Sequence, residues 1–367
     1  MTVELLQGNC IEVLKTLEAC SVQTVVTSPP YYGLRDYGTA KWEGSDPACD
    51  HSPARKKGQA SSTLSGGQGT NGHKHEGFKS VCGKCGAVRV DKQIGLEETP
   101  EAYVQRLVDV FREVRRVLKS DGTFWLVIGD SYWTDSAPKK KSTEAFSETW
   151  NPEDSAGNGG LRRTAAKHGD IKNKDLIGIP WMVAFALRAD GWYLRQEIIW
   201  HKRNPMPEPV KDRCTKSHEQ MFLLSKSSKY FFDYLAIQEP AEHPEGNGNQ
   251  MPGKQYKGRP GDNANLGGSL YKIGPRDTRN KRDVWSITNK PYPEAHFATF
   301  PPDLIEPCIL AGSRVGDTVL DCFNGSGTTG AVSVQYGRNY IGIDLNPAYI
   351  ELSRKRLADV QIELALK

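Results

Sequence analysis

The run Cys322-Phe323-Asn324-Gly325-Ser326-Gly327-Thr328-Thr329-Gly330 constrains this chain more than any other segment. It follows Thr318–Asp321, which reads as a strand, and it opens a helix. A further strand, Tyr340–Ile343, leads to Asp344, 19 residues beyond Gly325. Gly325, Gly327 and Gly330 satisfy G-x-G-x-x-G, a spacing that allows a tight turn and close approach of a ligand. An acidic residue at the next strand end can accept hydrogen bonds from ribose hydroxyls. The combination implies an α/β fold with a nucleoside-type ligand; a plain strand-to-helix turn is the alternative. NAD is the ordinary ligand of such a loop, so an NAD(P)-dependent oxidoreductase stays open on the loop alone. Asp321 argues against it. A carboxylate facing the ligand repels a pyrophosphate and suits a cation such as the ammonium group of S-adenosylmethionine. The loop also lies too late in the chain for a second mononucleotide half to follow.

The rest of the chain fits the same class. Val3–Leu6 reads as a strand, Ile11–Leu17 as a helix and Val22–Thr27 as a β-branched strand. Thr99 and Pro100 suit a helix start, and Tyr103, Leu107, Val110, Phe111, Val114 and Val117 keep helical spacing toward a stop at Gly122. Phe124–Ile128 and Tyr193–Trp200 read as strands, Ile179–Leu187 as a helix, and Gln220–Leu224 with Lys229–Asp233 as a hairpin. Helices are expected from Pro301 and Pro347. Polar, Gly-rich stretches interrupt this pattern near 39–95, 134–172 and 239–282, and 36 glycines and 22 prolines hold the hydrophobic share to 37%. No apolar run approaches the ~18 residues of a membrane span. Met1–Gly8 lacks a secretory signal pattern, so a cytoplasmic protein without a membrane part is expected. A net charge of +4 is compatible with a nucleic-acid partner but too mild to establish one.

Thr27-Ser28-Pro29-Pro30-Tyr31-Tyr32 follows directly on a strand, where open α/β sheets place ligands. Two prolines fix the backbone and remove two N–H donors, leaving carbonyls and the Ser28 hydroxyl as acceptors. Acceptors beside an aromatic face suit the exocyclic NH2 of a planar base, with Tyr31 available for stacking. An ordinary proline turn is the alternative.

Taken together, Ser28–Tyr31 and Asp321–Thr328 resemble the SPPY and DPFxGSGT motifs of the amino DNA methyltransferases. Their order, catalytic motif first, is similar to that of the β class. Leu6–Cys10 resembles the strand-turn that meets the cofactor adenine, Phe124–Tyr132 the strand after the catalytic motif, Trp200–Pro207 a Trp-x-Lys-x-Asn-x-x-Pro stretch, and His296–Leu304 a His-x-x-x-Phe-Pro segment. Two positions depart from the pattern: Asn9 replaces the usual Asp and Cys322 the usual Pro. The resemblance implies a Rossmann-like S-adenosylmethionine-dependent fold with a seven-stranded, mostly parallel sheet carrying one antiparallel strand, in circularly permuted motif order. It implies cofactor contacts at Asn9, Phe300, Pro301, Asp321, Phe323, Gly325, Ser326, Gly327, Thr328 and Asp344, and catalysis at Ser28, Pro29, Pro30 and Tyr31. A base flipped from the duplex would give its amine to the Ser28 side chain and the Pro29 carbonyl for in-line methyl transfer. Ser at the first motif position is commoner among N4-cytosine members, so N4-methylcytosine is the expected product and N6-methyladenine the alternative. Duplex DNA is the expected partner, with a second copy of the chain and a companion restriction endonuclease as further candidates.

Segments 1–38, 96–238 and 284–367 would form the catalytic domain, 39–95 a Cys/His insertion and 239–283 the target-recognition region. Cys49-x-His51 and Cys82-x-x-Cys85 supply four soft or borderline ligands, the number a closed structural Zn²⁺ site requires. Cys308 follows a proline, as does the nucleophile of the cytosine C5 methyltransferases, but it sits at helical spacing with Leu304, Ile305 and Ile309 and reads as core. In the recognition region Lys254, Lys257, Arg259, Arg276, Arg279 and Arg282 are the candidate DNA contacts, able to reach phosphates or guanine edges.

Overall fold

Eight strands form a single twisted sheet in the computed structural model, which describes residues 1–33, 39–44, 46, 48–51, 81–134, 168–242, 244, 276–289 and 300–365. In chain order the elements are β1 (Val3–Gln7), α1 (Cys10–Leu14), β2 (Val22–Thr27), β3 (Lys41–Glu43), β4 (Val88–Val90), α2 (Pro100–Val117), β5 (Leu118–Ile128) and α3 (Ile179–Ala189). They continue with β6 (Tyr193–His201), β7 (His218–Ser225), β8 (Glu239–Pro240), β9 (Thr278–Arg279), β10 (Val284–Ser286), α4 (Pro302–Gly312), β11 (Thr318–Asp321), α5 (Thr328–Gln335), β12 (Asn339–Asp344) and α6 (Pro347–Ala365). The sheet order is β1-β12-β11-β2-β5-β7-β6-β10. Every pairing is parallel except those of β7, which runs antiparallel to β5 and β6. The mostly parallel methyltransferase-type sheet is as expected, with an eighth strand: three residues, Val284–Ser286, extend the edge beside β6.

All six residues of β2 are buried, as a central strand of a doubly covered sheet requires. The helix after β2 (α2) packs into a core with α1 and α3 on one face, through Leu107, Phe111, Val183 and Leu187. The helix after β11 (α5) joins α4 on the other face, through Leu304, Ile305, Val332 and Val334. Adjacent strands β2 and β11 therefore send their chains to opposite faces, which opens a crevice beyond their C-terminal ends. The Ser-Pro-Pro-Tyr turn and the glycine loop both start there.

Two local expectations differ from the structure. Helix α2, capped by Thr99 Oγ1 accepting from Ala102 N (3.1 Å), ends at Val117 and passes straight into β5. Gly122 is therefore inside a strand. A Cβ there would lie 2.6 Å from Leu118 Cγ and 2.8 Å from the Gln23 carbonyl, so glycine serves close strand approach and not a helix stop. The second difference is the hairpin. Met221–Leu224 are fully buried and need partners on both sides, so β7 inserts between β5 and β6. Segment 229–233 instead runs irregularly, with Phe231 N donating to Asp121 O (2.8 Å).

Candidate active site

One hydrogen bond joins the two motifs across 294 residues: Thr27 Oγ1, at the end of β2, donates to Asp321 Oδ1 at the end of β11 (2.5 Å). Asp321 also accepts from Phe323 N (3.0 Å) and from Thr329 Oγ1 on its other oxygen (2.7 Å). It is fully buried and does not line the cavity beside it. Burial pushes its carboxyl up to about 6, with these three hydrogen bonds pulling the other way. The expectation that Asp321 faces a cationic ligand is therefore corrected: the carboxylate is a joint between strand ends, consumed by internal donors.

The glycines serve packing more than ligand approach. Gly327 holds φ +75°, and a Cβ there would sit 2.6 Å from Ser353 Oγ of α6; one at Gly330 would meet the Tyr340 ring at 2.5 Å. Asp344 is the acid that does reach the ligand space. Its Oδ2 accepts from Gly325 N (2.8 Å) and its Oδ1 from Asn346 N (2.8 Å), and burial raises its carboxyl to about 6. Asn9, the departure from Asp, caps α1 by accepting from Ile11 N (3.1 Å), a duty an amide oxygen performs as well as a carboxylate. A cavity of about 780 Å³ is lined by Asn9, Phe323, Gly325, Ser326, Thr328, Asp344 and Phe300 together with Ser28, Pro29, Pro30 and Tyr31. Eleven expected residues thus meet in one chamber. Gly327, Asp321 and Pro301 stand behind it; Pro301 precedes α4 and its carbonyl accepts from Leu304 N (3.0 Å).

Residues to which the sequence reading gave no site role hold the Ser-Pro-Pro-Tyr turn. Tyr103 donates to the Pro30 carbonyl (2.9 Å), which fixes the peptide beside Pro29. Tyr31 lies against Gly129, where a Cβ would be 2.5 Å from the ring, and its hydroxyl donates to Glu219 Oε2 (2.7 Å). Burial first, and Glu219 second, push the Tyr31 hydroxyl well above its ordinary pKa, while nearby Ser28 acts in the opposite sense. Lys202 donates to the other Glu219 oxygen (2.5 Å) and sits over the Trp200 ring at 4.6 Å. Lys216 donates to the Asp130 carbonyl (3.1 Å), and burial lowers its ammonium pKa. All of these except Tyr103 line the same chamber. The only sequence signal for them was position, since Trp200–Pro207 lay inside a recognised stretch while Glu219 lay in none.

In the insertion, ligand atoms of Cys49, His51, Cys82 and Cys85 lie within 4.8 Å of one another. Cys49 Sγ is 3.9 Å from Cys82 Sγ, and Cys85 Sγ is 3.6 Å from His51 Nδ1. A tetrahedron with ~2.3 Å Zn–S bonds has sulfur–sulfur edges of about 3.8 Å, so the cluster fits the ion. Cys82 is drawn down to about 6, first by the backbone N–H of Cys85 and then by His51. Gly86 N donates to Cys82 O (2.9 Å), closing the turn, and the antiparallel pair β3–β4 carries the cluster. Cys308 is fully buried, touches Met221 Sδ at 3.6 Å, and its thiol is raised by burial, as befits a core residue.

Among the recognition-region candidates, Lys254, Lys257 and Arg259 lie outside the described residues. Arg276 donates its backbone N–H to Pro244 O (2.8 Å). Arg279 and Arg282 each pair with both Glu239 and Glu242, at 2.7–3.0 Å. With the β8–β9 ladder they form a clamped stem at the two ends of the region, their charge balanced internally. Among the described residues no helix is long and apolar enough to cross a membrane.

The DNA methylase family model matches residues 22–355. The chain is 39% identical over 357 residues to Type II methyltransferase M.XycI of Xanthomonas campestris pv. cyanopsidis, covering 96% of this chain and 87% of that one. It is 38% identical over 360 residues to Type II methyltransferase M.SmaI of Serratia marcescens, covering 96% and 90%. Among solved structures it resembles the cytosine-N4-specific PvuII DNA methyltransferase (TM-score 0.55, 16% identity, 98% and 91% covered). It also resembles a putative DNA modification methylase of Thermus thermophilus, solved in complex with S-adenosyl-L-methionine (TM-score 0.51, 20% identity, 98% and 94% covered). The fold is shared with both. By the family model and by its identity to these relatives, the chain belongs to the N6/N4 DNA methylase family.

Proposed function

We propose that the protein transfers a methyl group from S-adenosylmethionine to the N4 amine of a cytosine flipped from duplex DNA. The observation that carries this is the single chamber shared by the Ser-Pro-Pro-Tyr turn and the glycine loop, tied together through Thr27 and Asp321. S-adenosylmethionine, when bound, supplies a sulfonium methyl group. Asp344 accepts from ribose hydroxyls while holding the loop through Gly325. Ser28 Oγ and the Pro29 carbonyl accept the two amine protons, which keeps the nitrogen lone pair out of the ring and aimed at the methyl carbon. Ser28 at the head of the motif favours cytosine. Lys202 and Lys216 in the chamber wall also complement the two acceptors, N3 and O2, that share an edge of cytosine with its amine. Type II methyltransferases among the relatives point to a role in protecting DNA beside a companion endonuclease.

Mass spectrometry of digested product DNA tests the reaction: N4-methylcytosine is expected, N6-methyladenine would move the reading to adenine, and 5-methylcytosine would sink it. Asp344 gives a pH signature. Ribose donors favour its ionised form, so cofactor affinity should rise with pH up to about 6 and then level. Below that the slope is at most about tenfold per unit. Titration calorimetry between pH 5 and 8 checks this, and Asp344→Asn should flatten the curve.

Cys49, His51, Cys82 and Cys85 are read as a structural zinc site. Beyond β4 the chain continues through Lys92, Gln93 and Ile94, which line the chamber, to Gly95, whose carbonyl accepts from Gly33 N (2.8 Å). Protein purified without chelators should carry about one zinc per chain. Cys82→Ser should lower that content; elemental analysis finding none in the unaltered protein would remove the site.

A further inference from the structure

Met206 stands 79% exposed, more than any other large apolar side chain among the described residues, and it is the only exposed one of them that borders the chamber. Single exposed apolar residues are common on protein surfaces, so exposure alone means little. The position carries the meaning: a residue that lines a cavity and also stands mostly in solvent lies on its rim. Lys92 and Asn204 are the other exposed residues of that rim among those described, and both have polar partners. Lys92 pairs with Glu12 at 3.1 Å. Asn204 Nδ2 donates to Asn289 O (3.2 Å), and its Oδ1 accepts from Asn289 N (2.8 Å).

The connection between β6 and β7 that carries Met206 is tied on both sides. At its base Lys202 N donates to Ser217 O (2.8 Å), and the Asn204–Asn289 pair holds the incoming chain. On the outgoing side Glu208 Oε2 accepts from Arg213 Nη1 (2.5 Å) and from Lys216 N (3.3 Å). Between these ties Pro205 and Pro207 flank Met206. Each proline locks its own φ and narrows the backbone of the residue before it, so Asn204 and Met206 are both restricted. The result is an apolar projection on a stiff backbone, with an unbranched side chain that adapts to the shape it meets.

A base reaches Ser28 through the mouth of the chamber, so the duplex that delivers it must lie across the rim. Extrusion leaves an unstacked gap in that duplex, and apolar side chains such as Met, Leu and Phe are the kind that enter between base steps. We propose that Met206 enters the duplex at the vacated position and holds the target base out of the stack. The proposal rests on the reading of a base flipped from duplex DNA. The Trp-x-Lys-x-Asn-x-x-Pro resemblance gives Met206 no role, since the residue occupies one of its unspecified positions.

Met206→Ala changes a surface side chain and should leave the fold unaltered. The test uses the full chain and duplex oligonucleotides that carry a target sequence located by mapping modified bases in product DNA. The duplexes differ only in the partner of the target cytosine: guanine, then inosine, which pairs more weakly, then an abasic site, which does not pair. Flipping grows easier along that series, so a side chain that fills the gap matters less. Single-turnover methyl transfer by Met206→Ala should fall about 5- to 50-fold on the guanine duplex, the range of one lost base contact. On the abasic duplex the loss should be less than about twofold, with inosine between. Met206→Leu keeps the apolar volume and should stay within about threefold throughout. S-adenosylmethionine affinity, by calorimetry, should stay within about twofold in both variants. An equal loss on all the duplexes would overturn the proposal, because a merely structural role does not depend on the partner base. An unaffected Met206→Ala rate would overturn it too, as would a matching fall in cofactor affinity. Product analysis of the unaltered chain tests the underlying reading separately: a ring-carbon product would refute the amine chemistry and still require a flipped base beside Met206.

Discussion

Ser28→Ala should reduce methyl transfer by about 10²–10³-fold, the cost of deleting one preorganised group aimed at developing charge. In the proposed transfer the amine nitrogen becomes positive as it attacks, and Ser28 would be the side-chain acceptor of one of its protons. Pro29 supplies a carbonyl and Pro30 is fixed by Tyr103, so the turn itself survives the substitution. Alanine removes only the hydroxyl, which among the described residues makes no hydrogen bond to the glycine loop, so S-adenosylmethionine binding should stay within about twofold. Single-turnover kinetics with calorimetry on the same preparation measure both. A variant that transferred at the unaltered rate would leave the backbone carbonyls as the whole acceptor set and remove Ser28 from the mechanism.

What could be read from the sequence was whatever a local pattern encodes. The strand–glycine turn–helix–strand unit was legible because Thr318–Asp321 and Asn339–Asp344 are flanked by turns whose glycines leave few alternatives. The Ser-Pro-Pro-Tyr turn was legible because two prolines on a strand end are a local fact. The sheet order was not, because β7 belongs between β5 and β6 for reasons of burial on both edges, which a window along the chain does not contain. Glu219 was hidden for the same reason: its partner Tyr31 is 188 residues away. The arginines of the expected recognition region show the reverse case. Arg279 and Arg282 look like DNA contacts by charge alone, and only the return of the chain past Glu239 and Glu242 reveals that they are paired.

Asp321 separates the two levels of reading, and its variants should divide accordingly. The strand-end carboxylate looks, in sequence, like a counterion for the cofactor's ammonium group; in the structure its oxygens hold Thr27, Phe323 and Thr329. Asp321→Asn tests the difference. The amide oxygen can replace Oδ1, accepting from Thr27 and the Phe323 N–H. Its NH2 then faces Thr329, whose hydroxyl is free to accept once its proton turns to the Val26 carbonyl at 3.4 Å. The joint therefore survives without the charge. Because the native carboxyl is raised from 3.8 to about 6, the folded state binds more protons than the unfolded one across that window. Stability should fall as pH rises from about 4 to 6 and stay level above, with a cost near 3 kcal/mol at neutral pH. Asp321→Asn removes this cost, so at pH 7–8 it should be at least as stable as the unaltered chain and bind S-adenosylmethionine within about threefold. Asp321→Ala also removes the charge but orphans Thr27 and the Phe323 N–H, each costing about 1–3 kcal/mol, and opens a void between the strand ends. The alanine variant should come out less stable by about 1–3 kcal/mol and bind the cofactor at least about tenfold more weakly, since both faces of the chamber lose their tie. Denaturant melts and calorimetry on the two variants give the ordering Asn at or above Asp, and Asp above Ala. If Asp321→Asn instead abolished cofactor binding with its stability intact, the carboxylate would be a ligand after all, and the joint between β2 and β11 would be incidental to the chemistry.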